Sequence, residues 1–187
     1  MEGTHFTNTH GYHNDDHYTT AYDIYLMCQA AMEHETFRAI TSSRNHDLPA
    51  TEFHEARTIY DTNALISSWQ YGSRYLYQYA TGIKTGSTPE AGYCLASAAS
   101  KNGRDLICVV LGAENPVQED GTTNRLQFSE STRLLEWGFN NFTTKTLLDS
   151  TYFAGTIPVT LSRDTDRIGA QASGTLEALL PDDLDPA

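Results

Sequence analysis

Lys84, Thr85 and Gly86, followed directly by Ser87 and Thr88, put a cation, three hydroxyls and a glycine into five consecutive residues. A lysine ammonium and a threonine hydroxyl can together hold a carboxylate through charge-assisted hydrogen bonds. The pattern predicts that this run ends a strand, and because strand side chains alternate, Gly82 and Gly86 share a face with Lys84. A strand stripped of side chains on both sides of a cation lets a second backbone approach, as strand addition by a peptide requires. The chemistry offered is recognition of a peptide by its main chain and its terminal carboxylate. The bland counterpart is a glycine-rich strand end with a solvated lysine.

A second group, His5, His10, His13, Asp15, Asp16 and His17, lies within thirteen residues and has ligand types that suit zinc or nickel. It lacks the i, i+4 helical spacing of a histidine metal motif and sits among Gly and Asn. Loop hydrogen bonds and solvated rings are the expectation, with no metal and no cofactor. Cys28, Cys94 and Cys108 are odd in number and show no C-x-x-C spacing, so they read as small apolar residues rather than a disulfide framework.

The elements that position Lys84 follow from periodicity. The first 18 residues read as a polar loop. Thr20 and Asp23 then have the spacing of a capping box, and Ala21, Ile24, Tyr25, Cys28, Ala31 and Met32 make one apolar helical stripe. The stretch 41–58 reads as loop with at most a short strand, and 60–79 is aromatic-rich and ambiguous. Three strands follow, over 79–85, 92–99 and 105–112, the last two joined by a two-residue Asn102-Gly103 turn that pairs Lys101 with Arg104. Counting outward from that turn sets Ser97 opposite Cys108 and Cys94 opposite Leu111, so Cys94 and Cys108 occupy opposite faces. The unbroken apolar run Leu106–Leu111 predicts a central strand covered on both faces. After a polar loop over 113–123, residues 124–142 read as a helix packed on the sheet. Near 147 the texture changes to Thr, Gly and β-branched residues, ending in an acidic tail over 181–187.

Composition limits the partners. The 187 residues carry 12 Lys and Arg against 24 Asp and Glu, a net charge of -12, which repels nucleic-acid phosphates and anionic lipid. No apolar run is long enough to span a membrane, and residues 1–5 lack the basic and apolar regions of a secretory signal.

The run Ala80–Leu95, together with Thr4–Gly11 and Tyr18–Asp23, resembles the serine D-alanyl-D-alanine carboxypeptidases, the low-molecular-mass penicillin-binding proteins, in matching order from residue 1 to about 147. S-x-x-K, an S-x-N-type block and K-T-G are the motifs of such enzymes. The resemblance implies an α/β (α+β) fold of the β-lactamase and transpeptidase type, with an antiparallel sheet and packed helices. It implies a serine that attacks the D-Ala-D-Ala bond of a peptidoglycan stem peptide, forms an acyl-enzyme and is freed by water; β-lactams mimic that substrate. By the same resemblance Lys84 is catalytic, supplying positive charge to proton transfer and to the substrate carboxylate, and Thr85, Gly86, Ser87 and Thr88 bind substrate. The Ser87 amide would be one oxyanion-hole donor.

One departure is severe. The lysines are Lys84, Lys101 and Lys145, preceded three residues earlier by Thr81, Ala98 and Phe142, so the sequence has no S-x-x-K. Ser43-Arg44-Asn45 and Ser100-Lys101-Asn102 have the S-x-N pattern but fall in a loop and in the hairpin turn, and read as coincidence. The expectation is therefore a partial catalytic domain over 1–147 and the start of a β-rich domain over 148–187, with Met1 an internal methionine of a longer gene. On this reading the parent works in the cell envelope and the chain alone is inactive. The alternative is a binding or complementing fragment. In either case apolar surface on the sheet and on the 20–32 helix should stand uncovered, open to association.

Overall fold

The computed structural model describes residues 1–161 and 163–184; of the acidic tail, residues 185–187 lie outside the described residues. It divides into two compact units, residues 1–137 and 138–187. That division falls within a helix, whereas the change in composition falls near 147.

The first unit is built on a three-stranded antiparallel sheet in the order β3-β4-β5, with β3 at Ala80–Thr88, β4 at Gly92–Lys101 and β5 at Arg104–Ala113. The β4–β5 hairpin closes as its sequence demands: Asn102 and Gly103 both have positive φ, 54° and 75°, and Lys101 pairs with Arg104, the signature of a type I′ turn. Ser97 faces Cys108 as counted. The count holds as far as Leu95 opposite Val110 and fails at Cys94, because an irregularity between Tyr93 and Leu95 pairs Tyr93 with Ala113 and leaves Cys94 without Leu111 as its partner. All three cysteines are free. Burial pushes the Cys108 thiol up, partly offset by the Ser131 and Ser97 side chains beside it.

The strand expected to be central is not. β5, with its run Leu106–Leu111, lies at one edge of the sheet, mostly half-buried, with Leu111 exposed. β4 occupies the centre, and its Leu95, Ser97, Ala98 and Ala99 are all buried. Apolar content on both faces of a strand signals contact on both faces, and says nothing about which edge has a neighbour.

One face of the sheet carries α1 (Ala21–Met32) and α2 (Glu35–Thr41). Cys28, Ile83 and Ala98 form a buried cluster, ringed by Ile24, Met32, Phe37, Ala96 and Ile107, so the expected stripe is the packing face. The capping box forms by half. Thr20 accepts the Asp23 N–H at 3.1 Å, but the Asp23 carboxylate does not return to the helix start. It accepts from Gly3 N–H at 2.9 Å and from the Thr4 hydroxyl at 2.7 Å, tying the amino-terminal loop to the helix. Those bonds hold the Asp23 carboxyl below the usual carboxylate range, the Thr4 hydroxyl contributing most. Tyr22 and Met27 remain exposed on α1, part of the uncovered apolar surface expected of this helix.

Two elements have no counterpart in the sequence reading: α2 itself, and a hairpin of β1 (Asn45–Leu48) with β2 (Arg57–Tyr60) where at most one short strand was expected. The ambiguous stretch 60–79 is irregular, yet contains the buried run Asn63–Ser67. Its aromatics pack on α3 (Leu126–Asn141): Phe128 lies 5.4 Å from Tyr75 and 6.0 Å from Tyr71, centroid to centroid. Further along, the Tyr77 hydroxyl donates to Glu136 at 2.7 Å, and Lys101 bonds the other oxygen of the same carboxylate at 2.8 Å. The helix packs on the sheet as expected.

The second unit holds two antiparallel pairs. β6 (Phe142–Leu148) pairs with β9 (Leu176–Pro181), and β7 (Phe153–Pro158) with β8 (Arg167–Gln171). Among the described residues, no helix is long and apolar enough to cross a membrane.

Candidate functional site

Lys84, Thr85, Gly86 and Ser87 lie in β3, whose one neighbour in the sheet is β4, so the opposite edge of β3 faces away from the ladder. The glycines flanking Lys84 do different work. Gly82 has φ +147°, and a Cβ there would sit 3.1 Å from the Thr41 hydroxyl, so it serves close packing of α2 on the strand. At Gly86 an added Cβ would meet nothing within 4 Å. The open space beside the motif is therefore at Gly86, with room for a second backbone.

Lys84 is exposed and its Nζ donates to the Thr85 carbonyl at 2.8 Å. It lines two adjoining hollows. The larger, about 590 Å³, is walled by Ile40, Ile59, Tyr60, Asp61 and Thr62. Tyr60 is stacked on Trp69, with centroids 5.5 Å apart and planes 4° from parallel. Desolvation pushes the Asp61 carboxyl up, partly offset by its bond from Asn63 N–H and by the charge of Lys84. The smaller hollow, about 330 Å³, has Thr85, Gly86 and Ser87 on the β3 side and Gln127 and Phe128 of α3 opposite. Thr62 belongs to both, and its hydroxyl meets that of Thr85 at 2.6 Å.

Thr88 lines neither of these hollows. Its hydroxyl accepts the Ala91 N–H at 3.0 Å, closing the turn between β3 and β4. Of the S-x-N tripeptides read as coincidence, Ser100-Lys101-Asn102 is in the hairpin, while Ser43 and Asn45 border the larger hollow with Lys84. The Ser43 hydroxyl is engaged with the Ala39 carbonyl at 2.7 Å.

The amino-terminal histidines serve the loop. His5 Nδ1 bonds the Asp16 carbonyl, His17 accepts from Thr7 N–H, and His10 accepts from Tyr12 N–H. His13 lies 3.2 Å from Asp15 and 3.7 Å from Glu90, next to the β3–β4 turn. Among the described residues no three His, Cys, Asp or Glu side chains converge as metal ligands.

Sequence reasoning missed Thr62, Tyr71, Arg125 and Gln127. None has a motif to announce it. The Arg125 guanidinium lies 5.3 Å from the Tyr71 ring and 5.8 Å from the Tyr93 ring, both walls of the smaller hollow. It immediately precedes α3 and sets a second cation against two rings that line the hollow.

An exposed cation and a hydroxyl on an open strand edge face a helix across a hollow, within an antiparallel sheet and packed helices of the α+β class. The family profile of the peptidase S11 D-alanyl-D-alanine carboxypeptidases matches residues 1–115, and the chain belongs to that family. It is 30% identical over 144 residues to a D-alanyl-D-alanine carboxypeptidase of Streptomyces sp. (strain K15), covering 74% of this chain and 44% of the relative. Against DacF of Bacillus subtilis (strain 168) it is 28% identical over 147 residues, covering 79% of this chain and 33% of the relative. The crystal structure of the Streptomyces K15 DD-transpeptidase superposes with a TM-score of 0.58 and 32% identity, over 73% of this chain and 48% of that one. The chain spans less than half the length of each of these proteins.

Proposed function

We propose that this chain carries the substrate-binding wall of a serine-type D-Ala-D-Ala carboxypeptidase and binds, along β3, peptidoglycan stem peptides that end in D-Ala-D-Ala. The observation that carries the reading is the Lys84-Thr85-Gly86 edge, with space over Gly86 where a peptide backbone would lie. Lys84 and Thr85 supply the charge and hydroxyl for the terminal carboxylate. Ser87 offers its amide to the oxygen that becomes negative during acyl transfer. Thr88 contributes through the turn it closes.

In the intact parent, a serine hydroxyl adds to the penultimate carbonyl and its proton passes to the departing amine. D-alanine leaves, and water then cleaves the ester. Lys84 lends positive charge to those proton transfers. This sequence supplies no S-x-x-K nucleophile block, so the chain as it stands binds without cutting. β-Lactams are ligands of the parent, and its place is the cell envelope.

Two measurements test this. Titration of the full chain with diacetyl-L-lysyl-D-alanyl-D-alanine should shift the amide resonances of Gly86 and Ser87; no shift overturns the binding role. Incubation with a fluorescent penicillin should leave the denatured chain unlabelled, and a covalent label would show that the chain has its own nucleophile.

A further inference from the structure

The amino-terminal loop holds a further hollow, apart from the two that Lys84 borders. It measures about 560 Å³ and is walled by Phe6, Thr7, Asn8, Thr9, Gly11 and His17, none of which lines either of the others. The rings of Phe6 and His17 lie 5.0 Å apart, centroid to centroid, and Phe6 is 43% exposed. A phenylalanine this open in a concave wall offers apolar contact to whatever enters.

Polar capacity is left over once the loop has made its own hydrogen bonds. His17 Nδ1 accepts from Thr7 N–H, so the neutral ring carries its proton on Nε2, and that donor has no partner among the described residues. The Thr9 hydroxyl likewise has none. Asn8 donates to the Thr7 hydroxyl and the Tyr12 carbonyl and accepts the Gly11 N–H, which leaves its oxygen a second lone pair. The loop is also preformed: His5 and Tyr18 exchange two backbone hydrogen bonds, and Asp23 holds Gly3 and Thr4, so binding has little ordering left to impose.

Charge narrows the ligand. The wall contains no Lys, Arg, Asp or Glu, and the first Lys or Arg along the chain is Arg38. A phosphate or carboxylate finds no counter-charge here, and a cation finds an N–H donor where it would need a carboxylate. An aromatic ring beside an uncharged donor, hydroxyl and acceptor suits a molecule with apolar C–H faces and neutral hydroxyl or amide substituents, which is the chemistry of a sugar. We infer that this hollow is a binding site for a neutral, N-acetylated sugar chain, with Phe6 packed on a sugar ring and His17, Thr9 and Asn8 bonding its substituents. The stem peptides of the reading above hang from such a chain, and His13 of the same loop lies 3.7 Å from Glu90 in the β3–β4 turn. The site itself stands on the hollow and does not depend on the β3 reading.

The test titrates chitotetraose, a neutral oligomer of N-acetylglucosamine, into the full chain and follows the ring resonances of Phe6 and His17. Saturable shifts at both are expected, with equal affinity at about 0.05 and 0.5 M salt because no charge pairs with the ligand. Thr9→Val removes a hydroxyl that the loop does not use and should weaken binding about three- to tenfold. Phe6→Ala should weaken it about tenfold or more; should that variant fail to fold, Thr9→Val carries the test alone. No saturable shift up to about 10 mM, an affinity that falls with salt, or an unchanged affinity in Thr9→Val overturns the site. Shifts at the Gly86 and Ser87 amides in place of the two rings place the sugar on β3 and overturn it as well. A stem peptide that fails to bind β3 leaves this site untouched.

Discussion

The hydroxyls of Thr62 and Thr85 meet at 2.6 Å, joining the segment after β2 to the middle of the strand that carries Lys84. Thr85 therefore has its rotamer set by a residue 23 positions upstream. Thr85→Val keeps the shape and removes the hydroxyl. It should weaken binding of diacetyl-L-lysyl-D-alanyl-D-alanine about tenfold, the loss of one hydrogen bond to a charged group. Thr62→Val leaves Thr85 its hydroxyl and should weaken binding by a smaller factor. Calorimetric titration of both variants separates contact from positioning.

Gly82 and Gly86 should respond oppositely to alanine. At Gly82 a positive φ and the 3.1 Å approach to Thr41 should make Gly82→Ala destabilising by about 1–3 kcal/mol, seen as a lower urea midpoint. Gly86→Ala has room for its methyl and should unfold like wild type, while peptide affinity falls because the methyl fills the ligand's path. A normal affinity for Gly86→Ala would mean that the peptide backbone lies elsewhere.

Asp23 latches the amino-terminal loop to α1, and its carboxyl is held below the usual range chiefly by the Thr4 hydroxyl. A depressed folded-state pKa gives stability that is fully present above the ordinary aspartate value and lost as pH falls through the folded value. The protection of the Gly3 amide, its exchange rate relative to an unstructured amide at the same pH, should therefore be high at neutral pH and fall below about pH 4. Asp23→Ala should show little protection at any pH.

Leu95, in the central strand, is fully buried. Leu95→Ala should cost about 2–5 kcal/mol, measured by denaturant unfolding, and the loss should exceed that of Leu111→Ala on the exposed edge of β5.

The sheet and its hairpin were legible because their information is local. Asn102-Gly103 sets a turn type, the turn sets the register, and the register reaches Ser97 and Cys108 unaided. It fails at Cys94 because an irregularity is decided by packing at the far end of the strand. The candidate site was legible on the β3 side, where Lys84, Thr85 and Gly86 are contiguous. Its other wall, Thr62, Gln127 and Phe128, arrives from two distant segments whose local sequence carries no ligand signature. Asp23 shows the same limit in miniature: its spacing from Thr20 announces a cap, but tertiary contact diverts the carboxylate to Gly3 and Thr4. β1 and β2 escaped because their residues are largely exposed and show no clear alternation.

The parallel rings of Tyr60 and Trp69 give the larger hollow a built-in optical signal. Tyr60 forms part of its wall, and Trp69, half exposed, is one of two tryptophans in the chain. An occupant that displaces the tyrosine changes the polarity around a neighbouring indole. With Trp137 exchanged for phenylalanine, emission excited at the red edge of absorption would follow occupancy of the space beside Lys84 without any added dye.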